Sequence, residues 1–439
     1  NGIGYVTLMF DLSGIEEKML PYAGILQSVL GIIDTSGYEY GELFNEINIH
    51  TGGIGTSLEL YADVTKVKEK EFRAVFEIKG KALYPKMNVL FSMMKEILME
   101  SRLNDEKRLK EILSMLRSRL QMSFLSSGHT TAALRALSYT SPIAKFKDDT
   151  DGIGFYEVVK AIEEDFEGQK DELIRNLKEI SRKIFRADNM MVSYTSSEEG
   201  IAPMKEAFGA VRKGLNDRAD DRGDHAETGL RAASSAPGEP ACVIHCHKRN
   251  EGFKTSSKVQ YVARAGNFID GGAEYTGALQ ILKVILSYDY LWQNVRVKGG
   301  AYGCMSSFNR IGEGYLISYR DPNLEKTMEI YEGVVDYLND FHVDDRDMNK
   351  FIIGTISNID RPLNPSAKGN RSMSLYMSRV TEEMLQKERE QILTADQGDI
   401  RALAEVLKAM LDSGLVCVIG SEEKIEECRE MFDEVRTLS

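Results

Sequence analysis

Apolar positions alternate with polar ones from residue 4 to residue 11, the period of a half-buried strand. They then switch to helical spacing through Leu20, Ala23, Leu26 and Leu30, up to the turn Thr35-Ser36-Gly37. A short helix to about His50, strands at 56–62 and 72–78, and amphipathic helices at about 83–101, 105–125 and 129–140 follow. Helices at 154–165 and 169–186, a strand at 190–194 and a helix from Ser197 complete this stretch.

The pattern lapses over residues 214–240, where charge, Gly, Ser and Pro collect, the composition of a linker. It then resumes with the same plan. Strands are expected near 241–247 and 257–264, a helix at 274–293, strands near 302–308 and 314–319, and helices at 323–341 and 345–358. A helix at 398–412, a strand at 415–419 and a helix from Glu422 end the chain.

Tyr22-Ala-Gly-Ile-Leu-Gln27 matches Tyr275-Thr-Gly-Ala-Leu-Gln280, and Gly52-Gly53 falls like Gly299-Gly300. Two long halves with one plan describe a duplicated domain, since solenoid repeats run at about 20–50 residues. The fold class expected is α+β: two homologous domains, each an antiparallel-rich sheet packed with helices. The expected bounds are 1–213 and 241–439, joined by the linker 214–240.

Composition narrows the function classes. Of 439 residues, 42% are hydrophobic and 28% charged, as in a globular protein. A net charge of −13 disfavours nucleic acid and anionic membranes as partners and favours cationic ligands. The longest apolar stretch, 20–33, is interrupted by Gln27 and Ser28 and falls short of the ~20 residues of a membrane span. Five cysteines, few and odd in number, suit reduced thiols in the cytoplasm or an organelle matrix. The chain starts at Asn1 and enters a strand almost at once, a start that reads as a cut within a longer sequence.

Leu291-Trp-Gln-Asn-Val-Arg-Val-Lys-Gly-Gly-Ala-Tyr-Gly303 closely resembles the C-terminal half of pitrilysin/insulinase-family zinc metallopeptidases, in their presequence-protease branch. The similarity continues through Ile353-Gly-Thr-Ile-Ser-Asn-Ile-Asp-Arg-Pro362, Arg389-Glu-Gln-Ile-Leu393, Asp399-Ile-Arg401, Thr51-Gly-Gly-Ile54 and Ser127-Gly-His-Thr-Thr-Ala132. The resemblance implies an insulinase/mitochondrial-processing-peptidase-like fold. Domain 1–213 would be the non-catalytic third domain of the full-length enzyme, with inserted helices. The two domains would form one bowl that closes on a zinc-bearing N-terminal half and encloses unstructured peptides.

In that family a His-x-x-Glu-His helix holds zinc, because histidines one turn apart share a helix face and the Glu can deprotonate a bound water. Histidines 50, 129, 225, 245, 247 and 342 do not form this pattern, and the equivalent helix reads Ile25-Leu-Gln-Ser-Val-Leu30. Zinc is therefore expected only in the N-terminal half of the same polypeptide, or in a partner subunit, and this chain alone is expected to be inactive.

The resemblance carries over an Arg/Tyr pair onto Arg296 and Tyr302. A phenol and a guanidinium can stabilise the negative charge that develops on a peptide carbonyl under attack. Gly299 and Gly300 would turn the chain between them and let backbone approach a substrate. In the bland reading Tyr302 is a strand aromatic and Arg296 a charge favoured at a helix C-terminus. A zinc-free scaffold or peptide-binding subunit of the same fold is the alternative function, although a scaffold has no need of this constellation.

Cys242-Val-Ile-His-Cys-His247 contains zinc-type ligands, but on a strand its cysteines and histidines face opposite sides. Ser127-Gly128-His129 reads as a capped helix start rather than a nucleophile and base. Thr51-Gly52-Gly53-Ile54-Gly55-Thr56-Ser57 lacks the Lys-Ser/Thr of a phosphate loop and reads as a turn into a strand. The acidic runs 148–151, 163–165 and 344–345 are expected on solvated faces or at helix starts, or else lining the chamber, and Met93, Met94, Met373 and Met377 in core packing.

Overall fold

A computed structural model describes residues 2–220 and 243–438. The first half builds a sheet from β1 (Ile3–Asp11), β2 (Ile54–Ala62), β3 (Phe72–Leu83) and β4 (Met190–Thr195), in the order β2-β3-β1-β4. The second half contributes β5 (Glu251–Thr255), β6 (Tyr261–Asn267), β7 (Gly303–Phe308), β8 (Glu313–Tyr319), β9 (Leu415–Ser421) and β10 (Glu434–Thr437), in the order β10-β5-β9-β6-β8-β7.

Within that second sheet, β7-β8-β6-β9 repeats the order of the first, and each corresponding pair is antiparallel in both. The duplication suggested by a few matched letters is thus a duplication of topology. β5 and β10 are additions, each paired in parallel at the far edge.

In the first half α1 (Leu20–Val29), α2 (Tyr40–His50), α3 (Met87–Met99) and α7 (Phe166–Ile184) surround a core centred on Leu8, Phe10, Phe76 and Phe185. Met93 and Met94 belong to this core. Between α3 and α7 lie α4 (Glu106–Ser138), α5 (Pro142–Asp151) and α6 (Ile153–Glu164), and α8 (Ile201–Asp220) follows β4.

The helices expected at 105–125 and 129–140 are one element, α4, kinked where Ser127 leaves helical geometry at φ −129° and ψ 26°. Asp105 caps its start by accepting from the Arg108 backbone N–H at 3.0 Å. Ser127 is therefore a break inside a helix and not its first residue.

The kinked helix ties the halves together. Along β6, Tyr261, Ala263 and Ala265 join the core that α4 shares, while the alternate residue Val262 joins the second-half core. Both faces of β6 are buried, so all seven of its residues are inaccessible. The second-half core is closed by α9 (Ala278–Tyr288), α10 (Glu325–Glu332), α11 (Val334–Asn339), α12 (Asp345–Ile359), α15 (Gln397–Asp412) and α16 (Glu422–Glu427). Two further helices, α13 (Pro365–Met377) and α14 (Glu382–Leu393), have no counterpart in the pattern read from the sequence. Met377 of α13 packs on Met9, Tyr61 and Val75, on the face of the first sheet turned away from its main core, with Met373 beside it.

Several expectations change. Residues 243–250 are irregular and the strand lies at Glu251–Thr255, so the strand expected at 241–247 is not there. The helix expected at 274–293 stops at Tyr288, and the one at 323–341 is divided at Gly333. α8 continues to Asp220, which makes residues 214–220 helical; the rest of the expected linker, 221–240, lies outside the described residues.

Asp148 and Asp149, expected on a solvated face, are 0% and 9% exposed. Asp148 pairs with Arg135 at 2.5 Å and Asp149 with Lys145, which is how their charges tolerate burial. Asp344 caps α12, as a helix-start acid should. The 51–57 segment is a turn into β2, with Gly53 at φ +107°.

Candidate functional site

The chain leaves α9, passes Leu291 and enters a π-helical segment, Trp292–Lys298. Such wide turns are uncommon and often stand at functional positions. Val295 points inward and is fully buried, which anchors the segment. Arg296 is thereby held at the surface. Its guanidinium carbon lies 3.9 Å from the Trp292 ring centroid and 5.9 Å from that of Tyr302.

Gly299 and Gly300 bring Tyr302 back to Arg296. A Cβ on Gly299 would stand 2.4 Å from the Val295 carbonyl oxygen, so no larger residue fits. Gly300 has φ +82°, which glycine adopts without strain. Asn323 fixes the turn by donating its side-chain amide to the Gly299 carbonyl at 2.6 Å. The Gly300 and Ala301 N–H groups then close on the carbonyls of Arg296 and Val295.

Tyr302 sits just before β7, its backbone N–H donating to the Tyr319 carbonyl at 3.0 Å. The side chain is 67% exposed. Its ring meets Tyr319 edge-on at 5.7 Å, and Tyr319 in turn meets His129 edge-on at 4.8 Å. Val297, also exposed, adds apolar surface beside the phenol. Together Arg296, Val297, Gly300, Ala301, Tyr302 and Arg320 line an open depression of about 450 Å³.

All four residues carried over at the sequence level, Arg296, Gly299, Gly300 and Tyr302, therefore meet at one place. Trp292, Tyr319, His129 and Arg320 are additions to that set. Trp292 is the single tryptophan of the chain and lies four residues before Arg296, a spacing that shares one helix face. That signal is readable in the sequence; the approach of His129 and Arg320 is tertiary.

Burial lowers the His129 pKa, which favours the neutral imidazole near pH 7. Burial pushes the Cys304 thiol, behind the site, up to about 11 against the nearby Arg296 charge, so it is neutral and no nucleophile there.

Zinc does not fit this chain. α1 buries Ile25, Leu26 and Val29 where ligands would be needed, and no group of three or more His, Cys, Asp or Glu able to hold a metal occurs among the described residues. Cys242 of the cysteine and histidine cluster lies outside those residues. His245 contacts Glu17 at 2.8 Å, and the strand alternation invoked to separate the cluster's ligands does not apply, because the segment is irregular.

Comparison with known proteins agrees with this geometry. The family model for peptidase M16 subfamily C associated domains matches residues 1–162, and that for the PreP C-terminal domain matches residues 250–422. Protein HypA of Clostridium perfringens is 37% identical over 438 residues, covering 100% of this chain and 43% of that protein. Presequence protease 1, chloroplastic/mitochondrial, of Arabidopsis thaliana is 29% identical over 445 residues, covering 99% of this chain and 39% of its own. The chain thus spans about two fifths of the curated relatives it matches.

Among solved structures, a peptidase M16 inactive domain from Pseudomonas fluorescens aligns over 95% of this chain and 92% of its own, with TM-score 0.59 and 12% identity. Pitrilysin aligns over 95% of this chain and 40% of its own, with TM-score 0.59 and 13% identity. These two likenesses speak for the fold. On the family models and the sequence relatives together, the chain belongs to the pitrilysin/insulinase (M16) metallopeptidase family, in its presequence-protease-like branch, and corresponds to the C-terminal half of such a protein.

Proposed function

We propose that this chain is the substrate-holding, charge-stabilising half of a zinc metalloendopeptidase that cleaves unstructured peptides inside a closed chamber. The zinc belongs to an N-terminal half of the same polypeptide, which supplies the metal and the attacking water. The observation that carries the reading is the convergence of Arg296 and Tyr302 on one open depression, held there by a turn that only glycine can make at residue 299.

Attack on a peptide carbonyl moves negative charge onto its oxygen. The Tyr302 hydroxyl donates a hydrogen bond to that oxygen, and Arg296, aligned by Trp292, binds a substrate carbonyl or shares the same charge. The groups gain strength as charge develops, so they act on turnover more than on binding. Peptide length is limited by what the chamber admits, and Val297 and the exposed Tyr302 ring supply side-chain contact of low specificity.

The test is hydrolysis of an unstructured fluorogenic peptide by the full-length enzyme, by this chain alone, and by Tyr302→Phe and Arg296→Ala in the full-length enzyme. Removing one such donor lowers turnover by about 10²–10³. A silent chain beside a full-length enzyme crippled by both substitutions supports the reading. Unchanged turnover in both variants returns the chain to a scaffold.

A further inference from the structure

Arg320 lines the same depression as Arg296 and Tyr302 but comes from the far end of β8. Its backbone is in the left-handed region, φ +49°, which costs a non-glycine residue about 1 kcal/mol or more. Glycine would remove that cost. An arginine kept in a glycine-type conformation points to work done by the side chain.

The guanidinium is placed by aromatic neighbours and has no carboxylate to neutralise it. Its carbon stands 5.4 Å from the Tyr319 ring centroid, the same ring that meets Tyr302, and the Tyr261 hydroxyl lies on its other flank. The neighbouring carboxylate, Asp321, is fully buried and turned inward, accepting from Thr327 Oγ1 at 2.7 Å and from the Asn323 N–H at 2.9 Å. Among the described residues neither Arg296 nor Arg320 has a carboxylate within ion-pair distance, although arginines 108, 117, 135, 264, 389 and 436 all do. In a chain of net charge −13, two such guanidiniums beside one open depression form a local anion site.

We propose that Arg320 is a specificity-determining residue that takes a carboxylate of the bound peptide. A guanidinium presents a planar fork that matches a carboxylate in two parallel hydrogen bonds, and its contact with Tyr319 limits the orientations it loses on binding. Arg296 remains with the reacting carbonyl, and Arg320 grips a carboxylate offset from it. The carboxylate is an acidic side chain near the scissile bond or the peptide's own C-terminus. The assignment rests on Arg296 and Tyr302 facing the substrate.

The experiment measures kcat/KM of the full-length enzyme on four versions of one unstructured fluorogenic peptide: Glu or Gln beside the scissile bond, each with a free or an amidated C-terminus. The ratio between carboxylate-bearing and neutral peptides is the readout. A charge-assisted contact is expected to give a wild-type ratio of roughly ten to a hundred. Arg320→Gly should bring it to about one. It should melt no lower than wild type, because glycine accepts the backbone without strain.

A preference that follows Glu over Gln identifies the side chain, and one that follows the free terminus identifies the terminal carboxylate. A wild-type ratio near one, or a ratio that Arg320→Gly leaves unchanged, overturns the assignment. If Tyr302→Phe and Arg296→Ala cripple turnover in the same assay, that failure is Arg320's alone. If they do not, both readings fall together.

Discussion

The Arg296 guanidinium lies over the Trp292 indole with its carbon 3.9 Å from the ring centroid, one helical turn away in sequence. A cation over an indole is held by about 0.5–2 kcal/mol, depending on desolvation. The partner on the other side, Tyr302, is farther, at 5.9 Å. Trp292 therefore sets the direction in which Arg296 points.

Trp292→Ala should lower kcat/KM about five- to thirtyfold, the kinetic equivalent of about 1–2 kcal/mol. Trp292→Phe should recover most of the loss. The decisive measurement is the double variant: in an Arg296→Ala background, Trp292→Ala should add little, because the residue it orients is gone. Full additivity would make Trp292 an independent contributor.

A second arginine joins the halves. Arg135 of α4 donates to both carboxylate oxygens of Glu251 on β5, at 2.6 and 3.1 Å, and to Asp148 on α5 at 2.5 Å. All three side chains are at most 4% exposed. Arg135→Ala would leave two buried carboxylates without this partner and should cost about 3–5 kcal/mol. Combining it with Asp148→Asn and Glu251→Gln should recover a large part of that loss in urea unfolding. No recovery would mean that the cost comes from lost packing.

The same cluster sets an acid limit. Burial acts to raise the Glu251 carboxyl, but hydrogen bonds and charge from Arg135, with the Tyr139 hydroxyl and Arg249, outweigh it and hold the group at about 2. A carboxylate with a depressed folded pKa contributes stability above its unfolded pKa and loses it as pH falls through the folded value. The window here runs from 4.5 down to about 2, and the contribution is on the order of 3 kcal/mol. Wild type should lose stability steeply below pH 5, whereas Glu251→Gln should start lower and respond less. Equal slopes in urea titrations at pH 3 to 6 would refute this.

Local relations are readable from the sequence and tertiary ones are not. Arg296 and Tyr302 are six residues apart with the turn spelled between them, so pairing them needs no fold. The burial of Asp148 depends on Arg135, and Arg135 depends on Glu251 from the other half; the local string 148–151 carries no trace of that. α13 and α14 are not legible because each buries only one residue fully, Met377 and Ile392, and so shows no apolar stripe. Residues 241–247 have the composition of a strand, but the pairing that makes β5 begins at Glu251, opposite Cys417.

The kink in α4 supplies the last prediction, because it decides where His129 lies. A Cβ on Gly128 would stand 2.2 Å from the ring of Tyr261, a buried residue whose hydroxyl donates to the Leu125 carbonyl. Alanine at this position gains about 1 kcal/mol of helix propensity. Forcing a methyl against an immobile ring costs about 1–3 kcal/mol. With the ring fixed at both ends the steric cost should win, so Gly128→Ala should lower the melting temperature. Gly209→Ala in α8 is the control: nothing lies within 4 Å of its added Cβ, and it should raise the melting temperature. A shifted Tyr261 also disturbs Tyr319, whose ring centroid is 5.7 Å away and which backs Tyr302. Gly128→Ala should therefore reduce turnover at temperatures well below melting, an effect that a purely global loss of stability would not produce.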